Sequence, residues 1–309
     1  MTKAEDVSTA GALALPPWSG HYFTKTSYNA PPSKLDARNV KLSRPFVVCI
    51  TGGGRGLGEA YAIAYAQAGA SHIVIAARSV EELESVKAKV QDTDSSVVVT
   101  TVRCDVTSES SALELKSAIQ KECDSRLDVL VNNAGFLDSE SGWKPITEGD
   151  PEGFRQTLAV NVFGVYLITR TLLPLLLGTE GGAKAVVGIT SFSSHFASYS
   201  ISMALSKLAL NRFVEFLDKE YREQGLVAYA LHPGGVATKM STSEGVPKEL
   251  QKFLISEATL SSHMLVWLTR EKRQWLSGRY VASTWDVDEL EGQKEEIVKE
   301  DKLKFRMVV

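Results

Sequence analysis

Eight residues, Thr51-Gly52-Gly53-Gly54-Arg55-Gly56-Leu57-Gly58, have the composition of a phosphate cradle. Glycines let a backbone turn tightly and approach a pyrophosphate, whose charge then sits at the N-terminus of the following helix. The loop lies between an apolar run at residues 46–50 and a helical pattern at residues 57–68, the context such a loop requires. Gly52, Gly54, Gly56 and Leu57 are the residues that would line the phosphates. The end of the second apolar run adds a further sign. An acid there would bind a ribose 2′-hydroxyl and repel a 2′-phosphate. This chain has Ala77 followed by Arg78, with Arg55 inside the loop. Two guanidinium groups flanking the adenosine ribose would pair with a 2′-phosphate, so the expected cofactor is NADP(H). The plain alternative is a pair of solvated surface arginines.

The elements that must position these groups alternate from residue 45 onward. Strands are expected at 46–50, 72–77, 97–103, 127–131, 183–190, 226–231 and 280–282. Helices are expected at 57–68, 80–90, 109–123, 154–176 and 201–223. Strands that are continuous apolar runs suit a sheet covered on both faces. Units of this length give parallel strands with right-handed crossovers, hence one doubly wound α/β domain of Rossmann type. Residues 1–44, rich in Pro, Ser, Thr and Ala, read as a flexible arm before a domain at 45–285. Residues 286–309 read as a charged tail forming a surface helix.

Composition narrows the class. The chain has 309 residues, 44% of them hydrophobic, enough for one large α/β domain. A net charge of −3 offers no basic surface for nucleic acid or an anionic membrane. Cys49, Cys104 and Cys123 are isolated and form no metal-ligand cluster, so reduced core thiols in a cytoplasmic protein are expected, with no metal. The apolar patch at residues 10–15 follows Glu5 and Asp6, which fits neither a signal peptide nor a transit peptide. No apolar run approaches the roughly 18–20 residues that span a bilayer.

The glycine spacing, Gly-x-x-x-Gly-x-Gly, resembles that of the short-chain dehydrogenase/reductase family, and further motifs follow in register. Asp105-Val106 ends the third strand, where the resemblance implies a contact to adenine. Asn132-Asn133-Ala134-Gly135 ends the fourth, and Asn133, Ala134 and Gly135 are carried over as cofactor contacts. Asn161 falls where a helix asparagine supports a proton relay. Pro233-Gly234-Gly235-Val236-Ala237-Thr238 follows the sixth strand; Pro233, Gly234, Val236 and Thr238 would meet the nicotinamide and phosphates. The segments Phe23-Thr24-Lys25-Thr26 and Gly278-Arg279-Tyr280-Val281 are similar to those of a branch common in filamentous fungi. The family often forms dimers or tetramers through the helices expected at 154–176 and 201–223. A substrate lid is expected within residues 240–256.

The same resemblance exposes a gap. Members carry a tyrosine that protonates the substrate carbonyl and, four residues later, a lysine that binds the nicotinamide ribose. That spacing puts both on one helix face. Lys207 matches the lysine and Ser191, with Ser193 beside it, matches the assisting serine. Met203 stands at the tyrosine position, and a thioether has no proton to give. Three explanations are open. Tyr199 or His195 replaces the donor. A substrate such as an iminium ion or quinone needs little protonation, so that Lys207, Ser191 and water suffice. Or the site performs a non-redox step (cyclisation, isomerisation or dehydration) with NADP bound. The leading expectation is an atypical NADP(H)-dependent oxidoreductase acting on a hydrophobic carbonyl, quinone or imine. A catalytically dead NADP-binding sensor is the reading from another class.

Overall fold

The computed structural model describes residues 16–197 and 200–307. Seven parallel strands form one sheet in the order β3-β2-β1-β4-β5-β6-β7. They are β1 (Val47–Thr51), β2 (His72–Ala77), β3 (Val98–Arg103), β4 (Val129–Asn132), β5 (Ala185–Ile189), β6 (Val227–His232) and β7 (Arg279–Ala282). The expected doubly wound α/β fold is present. Alternation along each strand feeds two cores: Val48 and Ile50 of β1 face one side, Val47 and Cys49 the other. Both sets are buried, so the strand reads as an unbroken apolar run.

The first core is covered by α1 (Gly56–Gln67) and α2 (Val80–Thr93), through Tyr61, Tyr65, Leu83 and Val86. The second is covered by α3 (Glu109–Glu122), by α4 (Pro151–Leu158) running through a π-helical turn at Ala159–Gly164 into α5 (Val165–Gly178), and by α6 (Ile201–Tyr221). Leu115, Leu172 and Leu217 supply its apolar side chains. The π-turn was not expected from the sequence and centres on Asn161. The continuous helical stretch Pro151–Gly178 has 28 residues and a mean hydropathy of 1.7 over its most apolar part, which corrects the expectation that nothing approaches a membrane span; 61% of that part is buried inside the fold.

After β6 come α7 (Lys248–Gln251) and α8 (Ala258–Thr269), then α9 (Val287–Gly292) and α10 (Lys294–Lys299) beyond β7. Helix α8 has no counterpart among the expected elements. Its residues from Leu260 through Thr269 are all buried, so it has no polar face to give a period of 3.6. Its small polar groups meet α1 instead: Ser261 hydrogen-bonds the Tyr61 hydroxyl at 3.0 Å and Thr269 the Tyr65 hydroxyl at 2.7 Å.

Residues 16–44 depart from the flexible arm that was expected. They lie along the C-terminal segment in a belt closed by specific bonds. Trp285 is fully buried, meets Phe23 at 5.0 Å with the rings tilted by 38° and donates its Nε1–H to the Gly20 carbonyl at 2.9 Å. The Glu289 carboxylate accepts from the Lys25 and Thr26 amides at 2.6 and 3.2 Å. Asp286 accepts from the Tyr28 hydroxyl at 2.9 Å and pairs with Lys34 at 2.6 Å. Both segments also bury apolar side chains in the first core, Leu35 and Leu42 from one and Val287, Leu290 and Ile297 from the other. Trp285→Ala should therefore cost about 3–5 kcal/mol in urea unfolding and speed hydrogen exchange at the Lys25 and Thr26 amides. A loss within 0.5 kcal/mol, on the order of a neutral surface change, would show that the belt is not anchored there.

Candidate active site

The strand order reverses between β1 and β4, and the loops after these two strands meet at the sheet's C-terminal edge. This is where open α/β sheets bind ligands. Contact between the two loops is unusually close. The Asn133 side-chain amide donates to the Thr51 and Gly52 carbonyls at 2.9 and 3.0 Å. The Thr51 hydroxyl accepts from the Asn133 and Ala134 amides, each at 3.1 Å. Gly52 has φ +64°, and a Cβ on Gly58 would lie 2.2 Å from the Gly52 carbonyl oxygen, so only glycine fits there. This crossing sets the first turn of α1 at the crevice. Its N-cap, Arg55, makes no side-chain cap, leaving the orphan N–H groups of the first turn available to an anion. Thr238 stands across the opening, its methyl 3.6 Å from where a Gly56 Cβ would be.

The remaining cofactor candidates line the same edge. Asp105 is folded on itself, its carboxylate accepting from the Thr107 amide at 2.9 Å and hydroxyl at 2.7 Å. Those bonds, with the Arg78 charge as a lesser cause, hold its pKa below the usual range. Val106 packs against Gly164 of the π-turn, and Gly135 lies beside Asn161. Pro233 follows His232 at the end of β6; the Gly235 carbonyl accepts from the Ser256 amide at 2.8 Å, and Val236 bridges to Ser256. Residues 240–256, expected as the lid, thus return to the sheet at Gly235-Val236, with Met240 near Gly135. Arg78 is exposed and makes no ion pair among the described residues. Arg55 carries a partner that was not expected: its Nη1 donates to both Glu82 oxygens at 2.7 and 3.0 Å, with the side chain still 55% exposed.

At the catalytic end, Asn161, Met203 and Lys207 come together. Asn161 is fully buried. Its Oδ1 accepts from the Phe136 amide at 2.8 Å, and its Nδ2 donates to the Phe136 carbonyl at 3.0 Å, to the Ser206 hydroxyl at 3.1 Å and weakly to the Met203 sulfur at 3.8 Å. Lys207 is 8% exposed and donates from Nζ to the Ile189 carbonyl at 2.8 Å, the residue that ends β5. Burial without a carboxylate partner lowers its pKa to about 8. Ser191 accepts from the Ser193 amide at 3.1 Å, and the Ser193 hydroxyl is buried with no hydrogen-bond partner. Tyr199, the first candidate substitute donor, lies outside the described residues. His195 stacks on Phe305 at 4.9 Å and meets Tyr280 edge-on. Burial lowers its pKa to about 4, and that of His232 to about 3, so both are neutral at pH 7.

Sequence reasoning missed Glu82. Its signal was present as Ser79-Val80-Glu81-Glu82, an N-capping box ahead of an apolar pattern. It also missed the aromatic wall beside Ser191, where Phe192, Phe196 and Trp18 follow one another at ring separations of 4.7 and 5.2 Å. Trp18 comes from the N-terminal segment, far from the other two in sequence, while Phe192 and Phe196 lie four positions apart, in a 3-10 turn and at its end.

Fold and loop geometry together define a doubly wound α/β protein with a crevice at the switch point, where such sheets bind nucleotides. Residues 46–248 match the family model described as short chain dehydrogenase, and the chain belongs to that family, whose members are nicotinamide-dependent oxidoreductases. It is 40% identical over 298 residues to the short chain dehydrogenase pgmD of Aspergillus terreus, covering 94% of this chain and 95% of that one. It is 36% identical over 304 residues to the short chain dehydrogenase citE of Monascus ruber, covering 96% and 100%. Among solved structures, a putative short chain dehydrogenase from Shigella flexneri, complexed with NADP, superposes with a TM-score of 0.69 at 23% identity over 79% of this chain and 98% of that one.

A buried lysine with a lowered pKa has a defined linkage. The folded form binds the proton less tightly than the unfolded chain, so a penalty is fully present below pH 8 and is relieved as pH rises from about 8 toward the unfolded value of 10.5. The stability of the wild type relative to Lys207→Met should accordingly rise across that window, by about 3 kcal/mol in all. Urea unfolding of both proteins from pH 7 to 10.5 checks this; a constant difference would mean that Lys207 is not desolvated.

Proposed function

We propose that the protein is an NADP(H)-dependent short-chain oxidoreductase of secondary metabolism, acting on a hydrophobic carbonyl, quinone or imine, in which Lys207 rather than a tyrosine handles the proton. The observation that carries this reading is the placement of Met203 one helical turn before Lys207, which is buried with its Nζ on the Ile189 carbonyl and no carboxylate bonded to it. A bound NADPH supplies hydride. The uncapped first turn of α1 receives its pyrophosphate, Arg78 faces its 2′-phosphate, and Ser191 hydrogen-bonds the substrate oxygen. Lys207 is an ammonium near neutral pH and stands one turn from Met203, so it is the proton reservoir of the site. His195 and His232, held neutral by burial, do not serve. The thioether of Met203 and the rings of Phe192 and Phe196 offer an apolar wall to a bulky substrate.

A second reading has one observation in its favour. Asn161 spends its amide on Phe136, Ser206 and the Met203 sulfur, and this leaves the tyrosine position apolar. Such a site suits a non-redox step with the cofactor as a wall. Oligomerisation is part of the proposal as well: Phe163 and Tyr166 on one side and Leu205, Leu208 and Phe216 of α6 on the other are exposed, an apolar face that a second copy would cover. Sedimentation at micromolar concentration should give a dimer or tetramer, and a monomer would contradict this.

The test of the catalytic claim compares wild type and Met203→Tyr for NADPH oxidation against quinones, aromatic ketones and cyclic imines. The tyrosine should raise turnover by about 10²-fold or more, the usual worth of a positioned general acid. Wild-type turnover should fall as pH rises through about 8. Equal rates in both proteins, with a flat pH profile, would overturn the role given to Lys207. Product formed without NADPH loss would establish the second reading.

A further inference from the structure

Arg55 and Glu82 lie at the end of the crevice where the adenosine ribose of a dinucleotide belongs, beside Ala77 of β2. Three observations converge on this pair. First, the Arg55 guanidinium is engaged, one nitrogen meeting both Glu82 oxygens at 2.7 and 3.0 Å. Second, Glu82 lies over the glycine loop: a Cβ at Gly54 would come 3.0 Å from the Glu82 Cβ, 3.4 Å from its Oε2 and 3.6 Å from the Ala77 Cβ. The carboxylate that β2 lacks is thus delivered to the same place from the first turn of α2. Third, the carboxylate is diverted from its ordinary task. Ser79 caps α2 by accepting from the Glu82 amide at 3.2 Å, and in a capping box the acid three residues on reaches back to the cap's own amide. Here it reaches forward to Arg55.

A carboxylate in this position does two things to a 2′-phosphate. It occupies the guanidinium that would pair with the phosphate, and it places a like charge near a group carrying about −1.5 to −2 charges at pH 7. A free ribose 2′-hydroxyl meets neither obstacle, since a carboxylate accepts its hydrogen bond. We propose that Glu82 is a selectivity residue of the cofactor site, whose ion pair with Arg55 sets the preference between NADP(H) and NAD(H) by competing with the 2′-phosphate. The inference rests on the reading that Arg55 and Arg78 face that phosphate. Arg78, exposed and unpaired among the described residues, then provides the standing attraction, while Arg55 contributes only as far as Glu82 releases it.

The experiment is a fluorescence titration of NADPH and NADH on the full chain for wild type, Glu82→Gln, Arg55→Gln and Arg78→Gln, with a thermal melt of each. Glutamine retains size and capping capacity, as capping boxes accept either residue, and removes only the charge. Glu82→Gln should tighten NADPH about fivefold, the upper range for a partly exposed ion pair, and leave NADH within about twofold. Arg78→Gln should weaken NADPH selectively, and Arg55→Gln should abolish the gain when combined with Glu82→Gln. Unchanged or weaker NADPH binding in Glu82→Gln, with Arg78→Gln still selective, would overturn the role of Glu82 alone. If neither arginine variant alters the NADPH to NADH ratio, the reading of the phosphate site falls as well.

Discussion

The structure depends on one close crossing of backbone. Where β1 ends, Gly52 runs against Gly58 of α1, and Asn133 from β4 clasps the Thr51 and Gly52 carbonyls. There is no room for a side chain between these strands of chain, and two backbone carbonyls are satisfied by one side-chain amide. The crossing fixes the N-terminus of α1 over the sheet's switch point, so the helix dipole and free N–H groups aim into the crevice. It also fixes the distance from β1 to β4, and hence to β5, whose last carbonyl holds the Lys207 ammonium. Cofactor geometry and proton geometry are thus set by the same packing.

Electrostatics in the site follow from burial more than from pairing. Lys207 has no carboxylate near it, and its charge rests on one carbonyl dipole. That is costly, and it leaves the group poised to lose a proton near neutral pH. The two histidines of the aromatic cluster are driven the same way by the same dryness, and from their lower starting value this leaves them neutral at pH 7. At the opposite end of the crevice Arg55 has a partner and Arg78 does not. Charge pairing therefore dominates beside the glycine loop and desolvation at Lys207.

Much of this was legible in the sequence because central strands such as β1 and β5 are buried on both faces and the glycines of the loop have a steric reason. The helices α2, α3 and α6 have capping residues or a polar face and could be read with them, and α1 could be read from the glycine loop that precedes it. Helix α8 could not, being buried on every side between α1 and the belt. The belt was misread because polar composition suggested a free arm, while its apolar residues find partners some 250 positions away, such as Phe23 with Trp285. Asn161 was expected on a helix and lies in a π-turn, whose geometry sets its partners and which no local pattern announces. Glu82 was visible as a cap and not as a counter-ion, since pairing across 27 residues needs the loop's actual path.

The central claim is that this crevice performs hydride transfer with Lys207 in place of a tyrosine. The most direct measurement is a single turnover with NADPH deuterated at C4, cyclic ketones and imines as acceptors, and mass analysis of the product. The account predicts one deuterium per product molecule, at a rate that falls as pH rises through about 8. Product lacking deuterium while the cofactor stays reduced would contradict it.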